Sequence, residues 1–445
     1  MIQCLANFTG TASYTCNKLT FLSYENAICE RTTPRAVVYP KSAVEVAQVL
    51  QYATRYGITV SVRGGGHSYT CNSVIQDSIQ ILTRNLRSIV VNRSDRTVTL
   101  GAGVLSNEIF EYLPRSKYSI PHGGCGSVGY VGFCIHGGIH APVTRITGLC
   151  NESIESMNVV LANGTIAALS RTSASSSLWD AMRVAGSSFG VVTSLTIRYL
   201  HEPEATVFGV IVVLSVDAFV KAHLAFIEQT RRDGKRAPVT LDGAGPGRFL
   251  PVLSDQLRLD TYILEVSVRQ DSWIQTRETQ RLRAYAYLLT HLPPLTPLTF
   301  LPQIDDISFA YDLHNKPFVS TFTCFDVGCE NLPLIIRSLT SHYRKYEYID
   351  STEWCWQVIS TTTTFDDKVC YEYNCPDYSV FAQDLILLEE QFKTMCPGNV
   401  KYYNVPSFWS TPREFFTNYD ALTLLKSTVD PQGLFREVGG VGLLN

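Results

Sequence analysis

The beginning of the chain alternates short apolar runs with one longer amphipathic run. Ala36-Val-Val-Tyr39 and Ile58-Thr-Val-Ser-Val62 are rich in β-branched residues and are typical of strands. Between them, apolar residues follow Ser42 at intervals of three and four, which predicts a helix with Ser42 as its N-cap. The second strand runs into three consecutive glycines, so a turn is expected directly after it.

Two pairs of apolar runs further along predict β-hairpins. One pair flanks the polar residues 92–96, and Met157–Leu169 repeats the design around Asn163-Gly164. Asn-Gly is the dipeptide expected of a type I′ turn, which we therefore predict for the second hairpin. A short helix over Leu178–Val184 and a strand over Val191–Ile197 complete this alternating region.

The pattern then changes, and we expect a domain boundary between residues 203 and 204. Val207–Leu214 predicts a longer strand, and Ala218–Arg232 predicts a longer amphipathic helix, as in a second α+β unit. The C-terminal region carries an aromatic strand, Lys401-Tyr-Tyr-Asn404, and a helix around Tyr419–Lys426. No linker rich in Pro, Gly or Ser separates these parts, so we expect them to pack together.

Composition narrows the class of partner. The chain has 445 residues, enough for two domains, and a formal net charge of -3 without any run of Lys or Arg. Nucleic acid and anionic membrane surfaces are therefore not expected partners, and a small-molecule substrate is favoured. No stretch approaches the ~20 apolar residues that a membrane-spanning helix needs, so no membrane anchor is expected.

Cysteines and glycosylation motifs indicate the secretory pathway. Thirteen cysteines are more than a protein of a reducing compartment usually contains. The spacing of Cys324 and Cys329 comes nearest to that of zinc ligands but does not match it, so no metal is expected. N-glycosylation motifs begin at Asn7, Asn92, Asn151 and Asn163. The N-terminus shows no signal peptide, and we expect that it was removed or left off.

Two glycine-rich stretches carry the candidate chemistry. Arg63-Gly-Gly-Gly-His67-Ser-Tyr69 follows a predicted strand, and three glycines let backbone amides approach a phosphate or a ring closely. The second stretch is Gly123–Gly138, with Cys125, His136 and a formal GxGxxG at Gly124, Gly126 and Gly129. It contains more glycine than a dinucleotide-binding helix tolerates. On spacing alone, the first stretch is equally a surface turn with an incidental histidine.

Together these stretches resemble the FAD-linked oxidases of the berberine-bridge-enzyme family, which have a PCMH-type FAD-binding domain. In that family a histidine of an R-x-G-G-H-S loop is joined to the flavin 8α-methyl, and a cysteine of a later G-x-C-x-x-V-G-x-x-G stretch is joined to flavin C6. The matching residues are His67 and Cys125. The resemblance covers about the first 200 and the last 50 residues, including Phe189–Thr193 and Asp430–Phe435.

The resemblance implies an α+β fold of two domains and a covalently bound FAD. Residues 1–203 would bind FAD, residues 204–396 would form an antiparallel sheet backed by helices over the substrate, and residues 397–445 would return to the first domain. Residues expected to hold the flavin are Arg63, Gly64, Gly65, Gly66, His67, Ser68, Cys125, Ser127, Val128, Gly129, Gly132, Phe133, Gly137, Val192 and Asn404. Molecular oxygen would reoxidise the flavin and give hydrogen peroxide.

Cys125 has an alternative role. If it bonds the flavin, twelve of the thirteen cysteines remain, an even number that can pair completely. Otherwise it is a thiol or a disulfide partner, and His67 alone is attached.

The family pattern is broken at two places that bear on proton transfer. His136 and His140 stand where the family has glycines, and they are either acid/base groups or structural residues. Val405 stands where the family commonly has a tyrosine that acts as, or orients, the base, so Tyr402 or Tyr403 would have to replace it. The candidate proton-moving residues are therefore His136, His140, Tyr402 and Tyr403.

A further candidate lies on the alternating run Thr352–Ile359. Period 2 places Trp354 and Trp356 on one face and Glu353 on the other. The tryptophans are explained by core packing, and Glu353 is a weaker candidate base.

Three functions are compatible with these residues. The first is an oxidase that removes a hydride from a secondary metabolite and drives cyclisation, desaturation or alcohol oxidation. The second is an oligosaccharide oxidase on the same fold. The third is a non-redox cyclase or pericyclase. This hypothesis is based on His136, His140 and Val405, which replace the residues that the family usually has at these positions.

Overall fold

The structure is a computed structural model. It describes residues 4–16, 24, 26–109, 112–113, 118–123, 125–140, 144, 147–172, 175–201, 206–213, 216–217, 219–221, 224, 239–246, 262–269, 318–326, 328–345, 356–358, 368–376, 379–398, 400–401 and 410–436.

The first sheet contains the strand that leads into the first glycine-rich stretch. Its strands are β1 (Ser13–Cys16), β2 (Ala36–Tyr39), β3 (Val60–Arg63) and β4 (Ile79–Leu82), in the order β1-β2-β4-β3. β2, β4 and β3 are parallel, and β1 pairs antiparallel with β2 at the edge. The strand predicted at 36–39 is confirmed, and the one predicted from Ile58 begins at Val60 instead.

The helix α1 (Ala43–Tyr56) forms where the apolar spacing predicts it. Ser42 Oγ accepts a hydrogen bond from the Glu45 amide at 3.2 Å, which confirms the predicted N-cap. The helix ends at Gly57, whose left-handed conformation (φ 62°) closes the last turn. One core cluster joins the buried face of α1 to the first sheet and to Val160 and Val191 of the next sheet.

The second sheet is antiparallel and supports the second glycine-rich stretch. Its strands are β5 (Ile89–Asn92), β6 (Thr97–Gly101), β8 (Ile154–Leu161), β9 (Ile166–Ser170) and β10 (Gly190–Arg198), in the order β5-β6-β10-β8-β9. β7 (Tyr118–Ser119) pairs separately with β11 (Leu200–His201). The helices here are α2 (Ser106–Ile109), α3 (Tyr130–Cys134) and α4 (Ser176–Ala185). Both predicted hairpins, the helix near 178–184 and the strand near 191–197 are confirmed.

The turn of the β8–β9 hairpin differs from the prediction. A type I′ turn needs a positive φ at both central residues, but only Gly164 of the Asn163-Gly164 pair has one, at 83°. The Gly164 amide donates to Leu161 O at 2.8 Å, and the Leu161 amide donates to Thr165 O at 2.9 Å. The tight turn therefore spans residues 161–164 and ends in a left-handed glycine, so the predicted type I′ turn is wrong.

The second half of the chain forms two antiparallel sheets with helices. One sheet has β12 (Thr206–Val213), β13 (Val239–Pro246) and β14 (Tyr262–Arg269), in the order β12-β14-β13. The other has β15 (Phe318–Asp326), β16 (Trp356–Val358), β17 (Lys368–Pro376) and β18 (Val400–Lys401), in the order β16-β17-β15-β18. The helices are α5 (Leu332–Lys345) and α6 (Ser379–Met395), and the Cys329–Cys396 disulfide joins their neighbouring ends.

The sequence predictions for this half of the chain are confirmed in some places and lie outside the described residues in others. The strand predicted at 207–214 is confirmed as β12, and the α+β class is confirmed by these sheets with helices beside them. Most of the helix predicted over 218–232 lies outside the described residues, as do Glu353 and Trp354. β16 confirms part of the strand predicted over 352–359.

The C-terminal residues described here pack on the first half of the chain. The helix predicted around 419–426 is confirmed as α7 (Tyr419–Val429). Beyond it, the Val60 amide donates to Leu434 O at 2.9 Å, and Phe435 forms a parallel bridge with Val60. The segment thus extends the first sheet beside β3. Short 3-10 helices cover Ala27–Arg31, Thr83–Asn85, Cys150–Ser153, Gly186–Ser188 and Pro412–Glu414.

Covalent and surface features bear on the expected compartment. Disulfides within the described residues are Cys4–Cys16, Cys29–Cys71, Cys134–Cys150 and Cys329–Cys396, and Cys324 is disulfide-bonded as well. Within the same residues, no helix has the length and apolar character that crossing a bilayer requires.

One of the four glycosylation motifs is contradicted by the fold. Asn7, Asn92 and Asn163 are exposed, but Asn151 is 7% exposed. The Asn151 amide nitrogen, to which a glycan would attach, donates to Arg183 O at 3.1 Å. Since Asn151 lies in a 3-10 turn packed on α4, the folded chain has no room for a glycan there, and that expectation is wrong.

Candidate functional site

The first glycine-rich stretch is a turn built over a buried arginine. β3 ends at Arg63, whose guanidinium carbon lies 4.4 Å from the centroid of the Tyr24 ring. Burial lowers the pKa of the Arg63 guanidinium. Gly66 has φ 81°, and a Cβ there would lie 2.7 Å from Arg63 Nε. Arg63 therefore supports the turn from beneath, and position 66 requires glycine.

The residues after the turn are anchored to the segment before α1. Asn26 Nδ2 donates to Tyr69 O at 2.8 Å, and Cys29 is bonded to Cys71. Ser68 Oγ accepts a hydrogen bond from the Asn72 amide at 2.9 Å. His67 consequently lies on a segment fixed on both sides, as a reactive side chain requires.

The second glycine-rich stretch is fixed by backbone hydrogen bonds. The Val128 amide donates to Cys125 O at 3.2 Å, which makes a turn of residues 125–128. The amides of Ser106 and Asn107 donate to this turn, at Val128 O and Gly126 O, both at 3.0 Å. α2 thus holds the turn on one side, and α3 begins directly after it.

The two stretches meet backbone to backbone. A Cβ built on Gly65 would overlap the Ser127 carbonyl oxygen, and one built on Gly129 would lie 2.5 Å from the Gly65 amide nitrogen. His67 Nε2 and Ser127 Oγ are 2.8 Å apart and share a hydrogen bond. Cys125 lies two residues before Ser127 and is partly exposed. The fold therefore brings together Gly65, His67, Ser127 and Gly129, all predicted site residues.

His136 is held at both ring nitrogens. Its Nδ1 lies 2.8 Å from Gly132 O, and its Nε2 lies 2.7 Å from Ser187 Oγ. Since a carbonyl can only accept, Nδ1 carries the proton in this contact. His136 thus ties the end of α3 to the turn before β10, a structural role that the predicted catalytic role did not include.

His140 lies in a different environment, against a histidine that the sequence reasoning missed. The rings of His140 and His122 are 3.8 Å apart between centroids. Burial, aided by His122, holds the pKa of His140 well below 6.5 and outweighs a hydrogen bond to the Ile120 backbone. His140 is therefore neutral at pH 7. The available signal was that His122 directly precedes Gly123 at the start of the glycine-rich stretch.

The remaining predicted site residues differ in position. Gly64 lies beside Gly129, with a Cβ position 3.6 Å from the Gly129 Cα. Gly132 is exposed, whereas Phe133 and Val192 are buried core residues. Gly137 has φ 108°, a conformation that favours glycine. Tyr402, Tyr403, Asn404 and Gly124 lie outside the described residues.

Comparison with known protein families identifies the region that contains both glycine-rich stretches. Residues 34–170 match the family described as FAD binding domain. These residues form an FAD-binding domain. Both glycine-rich stretches, the His67–Ser127 contact and the His122–His140 pair lie inside this FAD-binding domain.

Relatives with related sequences match less than half of the chain. The FAD-linked oxidoreductase srdI of Neurospora crassa is 27% identical over 165 residues, which are 37% of this chain and 33% of that protein. The FAD-linked oxidoreductase sorD of Penicillium rubens is 29% identical over 208 residues, 46% of this chain and 44% of that protein. The matched segments thus span less than half of the length of these relatives.

Solved structures match over nearly the whole chain. Berberine bridge enzyme from Eschscholzia californica has a TM-score of 0.75 at 15% identity, covering 99% of this chain and 98% of that one. The xylooligosaccharide oxidase from Myceliophthora thermophila C1, in complex with xylobiose, has a TM-score of 0.77 at 17% identity, covering 99% of both chains. The resemblance to berberine-bridge-enzyme-like FAD-linked oxidases is confirmed at the level of the fold and the FAD-binding domain.

The residues present fit a bound FAD. Gly65 and Gly129 have no side chains, so the two loops pack backbone to backbone and bring His67 and Ser127 together in the FAD-binding domain. Cys125 is partly exposed on the second loop, so each of the two loops that meet carries a side chain able to form a covalent bond to a flavin.

Proposed function

We propose that this chain is an FAD-dependent oxidase of a small organic substrate, with the flavin attached covalently to His67 and also to Cys125. The observation that carries the proposal is the His67–Ser127 hydrogen bond across the packed Gly65 and Gly129 backbones. It lies in the FAD-binding domain, and both residues named for attachment are on the two loops that meet there.

The hydrogen bond to Ser127 suits His67 for attachment. When Nε2 carries the ring proton and donates it to Ser127 Oγ, the lone pair is on Nδ1, which is then the nucleophilic nitrogen. The ring is oriented by Ser127, and its backbone is fixed through Asn26 and the Cys29–Cys71 disulfide. Cys125 is partly exposed on the facing loop, as a second attachment site must be.

The bound flavin would supply hydride acceptance and transfer of two electrons to O₂ with formation of H₂O₂. The chain would hold it through the backbone around Gly65 and Gly129 and would move a substrate proton. For that proton we keep His136, His140, Tyr402 and Tyr403 as candidates. Of the two histidines, His136 is less available for proton transfer, because its two ring nitrogens already form hydrogen bonds with Gly132 O and Ser187 Oγ.

We propose a secondary metabolite as the substrate class, oxidised by cyclisation, desaturation or alcohol oxidation. Relatives with 27% and 29% identity over part of the chain are named FAD-linked oxidoreductases, which supports the redox part of the proposal. The likeness to the xylooligosaccharide oxidase concerns the fold and leaves an oligosaccharide substrate as the alternative.

Domain division and compartment belong to the same proposal. We assign FAD binding to residues 1–203 with the returning segment 397–445, and substrate binding to residues 204–396. Contacts of Leu434 and Phe435 with Val60 support the returning segment. The disulfides support export through the secretory pathway.

Reoxidation tests the oxidase proposal without knowledge of the substrate. The purified protein is reduced anaerobically with dithionite and then mixed with air-saturated buffer. We expect rapid return of the oxidised flavin spectrum with one H₂O₂ formed per flavin. Reduced flavin that persists in air would contradict an oxidase and indicate a dehydrogenase. A colourless protein that binds no added FAD would favour the non-redox cyclase.

A further inference from the structure

Thr83 links the approaches to the two glycine-rich stretches. Its side chain is buried, and its Oγ1 lies 2.8 Å from Ala102 O and 3.2 Å from Arg63 O, so two carbonyls share one hydroxyl proton. Arg63 opens the first stretch, and Ala102 leads into the segment that holds the second. A Cβ built on Gly103 would overlap the Thr83 carbonyl oxygen, so these two backbones are in contact. The 3-10 helix Thr83–Asn85 therefore lies between the two approaches.

Residues 104–107 run antiparallel to the second glycine-rich stretch and hold it in place. Leu105 forms an antiparallel bridge with Gly129. The hydrogen bonds along this pairing, each of 3.0 Å, join the Tyr130 amide to Val104 O, the Ser106 amide to Val128 O and the Asn107 amide to Gly126 O. A displacement of residues 104–107 would therefore also displace the turn that carries Cys125 and Ser127.

An ion pair fixes this segment to the 3-10 helix. Arg84 Nη1 and Nη2 each lie 3.0 Å from one oxygen of the Glu108 carboxylate, in a bidentate contact. Glu108 Oε2 also accepts from the Leu105 amide at 2.8 Å, and Arg84 Nη1 also donates to Gly103 O. Arg87 forms a second ion pair with Glu108. The segment is thus held at both of its ends, at Gly103 and at Glu108.

Glu108 is suited to fix a position. Its side chain is only 18% exposed. Partial burial alone would raise the pKa of Glu108, but hydrogen bonds from Arg84 and the Leu105 amide outweigh it and lower that pKa. The carboxylate is therefore charged at pH 7, and a bidentate contact to it restricts direction as well as distance.

We propose that Thr83, Arg84 and Glu108 position the loop of Cys125 and Ser127 against His67 for covalent attachment of the flavin. The inference rests on the proposed function, since it requires attachment at this site. Each attachment removes one proton from the side chain, one proton from the flavin carbon and two electrons, which O₂ takes up as H₂O₂. The 8α-methyl and C6 belong to one rigid ring, so the two loops must be held at a fixed separation for the bonds to form.

The rate of attachment tests the inference on the full chain. In a Cys125→Ala background, where His67 alone attaches the flavin, protein from a riboflavin-starved host is mixed with saturating FAD in aerated buffer. Covalent flavin is followed as flavin absorbance in acid-precipitated samples. We expect Glu108→Gln to lower the first-order rate constant about tenfold, because loss of the bidentate contact displaces the loop of Ser127. A rate constant does not depend on the yield of folded protein, so lower stability alone would leave it unchanged.

Glu155→Gln is the matched control. It breaks an ion pair of the same residue types, Arg198 Nη2 to Glu155 Oε1 at 2.6 Å, which lies on the neighbouring strands β10 and β8 rather than on either loop. Its rate constant should stay within about twofold of the parent value. Equal slowing by the two Glu→Gln substitutions would overturn the inference.

Thr83 supplies a second pair of variants. Thr83→Val removes the shared hydroxyl and nearly keeps the shape of the side chain, whereas Thr83→Ser keeps the hydroxyl. We expect slower attachment in the valine variant and recovery of the parent rate in the serine variant. Parent rates in both Glu108→Gln and Thr83→Val would overturn this inference alone. A Cys125→Ala parent that attaches no flavin at His67 would instead overturn the proposed function.

Discussion

Close packing of Gly65 against Gly129 sets the geometry of the site at the scale of single residues. Neither backbone can retreat, because the Gly65 turn follows β3 directly and α2 holds the facing loop. The sequence predicts both glycine-rich loops, since each follows a recognisable local pattern. It does not predict their contact, which joins residues 60 positions apart at His67 and Ser127.

Substitution of Gly65 should therefore be costly. Gly65→Ala places a methyl group on the Ser127 carbonyl oxygen, and we expect a loss of about 2–3 kcal/mol of unfolding free energy together with loss of FAD. Gly132→Ala is the matched stability control, because no atom lies within 4 Å of its Cβ position in α3. That variant should be stabilised by about 0.5–1 kcal/mol. Equal stability of both variants in urea titrations would contradict the packing argument.

Ser127 should affect attachment more than stability. Ser127→Ala removes the hydrogen bond that orients His67 Nε2, so the covalently bound fraction of flavin should fall, while Ser127→Thr retains a hydroxyl and should preserve it. The fraction is measured in a Cys125→Ala background, where His67 alone attaches the flavin, as flavin absorbance in acid-precipitated protein. An unchanged fraction in the alanine variant would show that Ser127 does not prepare His67.

The depressed pKa of His140 predicts a pH dependence of stability. Between 6.5, the ordinary value, and the lower folded value, the unfolded chain binds more protons at this residue than the folded chain. Unfolding free energy should therefore rise with pH over this window and be lost as pH falls. Urea titrations from pH 7 to pH 5 should show a smaller slope for His140→Phe than for the parent. An identical slope would mean that His140 titrates normally.

At the scale of elements, one buried ion pair fixes the C-terminal segment. Lys426 Nζ, on α7, donates to Asp430 Oδ2 at 2.6 Å and to the carbonyls of Ser188 and Phe435, both at 2.7 Å. Asp430 also accepts from the amides of Leu434 and Phe435. The pair joins α7 to the turn before β10 and holds the residues that extend the first sheet beside β3.

Breaking this pair should unfold the segment. Lys426→Met leaves the Asp430 carboxylate buried and unpaired, and we expect a loss of about 3–5 kcal/mol. Lys426→Met/Asp430→Asn removes both charges and should recover part of that loss. Denaturant titrations compare the two, and a double variant less stable than the single one would contradict the argument.

Local sequence patterns predict some secondary-structure elements of this fold and not others. The β2 strand and the α1 cap were predictable because β-branched runs and an N-cap serine act locally. The β8–β9 turn was not, because an Asn-Gly pair permits more than one turn and the hairpin adopts one with a single left-handed residue. Asn151 was missed for a similar reason, since a three-residue motif carries no information about burial against α4.

At the scale of the whole molecule, disulfides connect compartment to function. Cys29–Cys71 closes a span of 42 residues that includes the His67 turn, whereas Cys4–Cys16 closes a span of 12 residues before and within β1. Two alanine pairs can separate their roles. In a Cys125→Ala background, where His67 alone attaches the flavin, Cys29→Ala/Cys71→Ala should cost about 2–4 kcal/mol and reduce covalent flavin, while Cys4→Ala/Cys16→Ala should cost less and leave the flavin unchanged. Flavin loss from both pairs alike would argue against a local role of Cys29–Cys71.

The most direct test of the account is the visible spectrum of the purified protein before and after acid precipitation. We predict a yellow protein whose colour stays in the pellet, is retained when either His67→Ala or Cys125→Ala is introduced alone, and passes to the supernatant only when both are. Colour released from the unaltered protein by acid would contradict covalent attachment, and the absence of any flavin would contradict the proposed function.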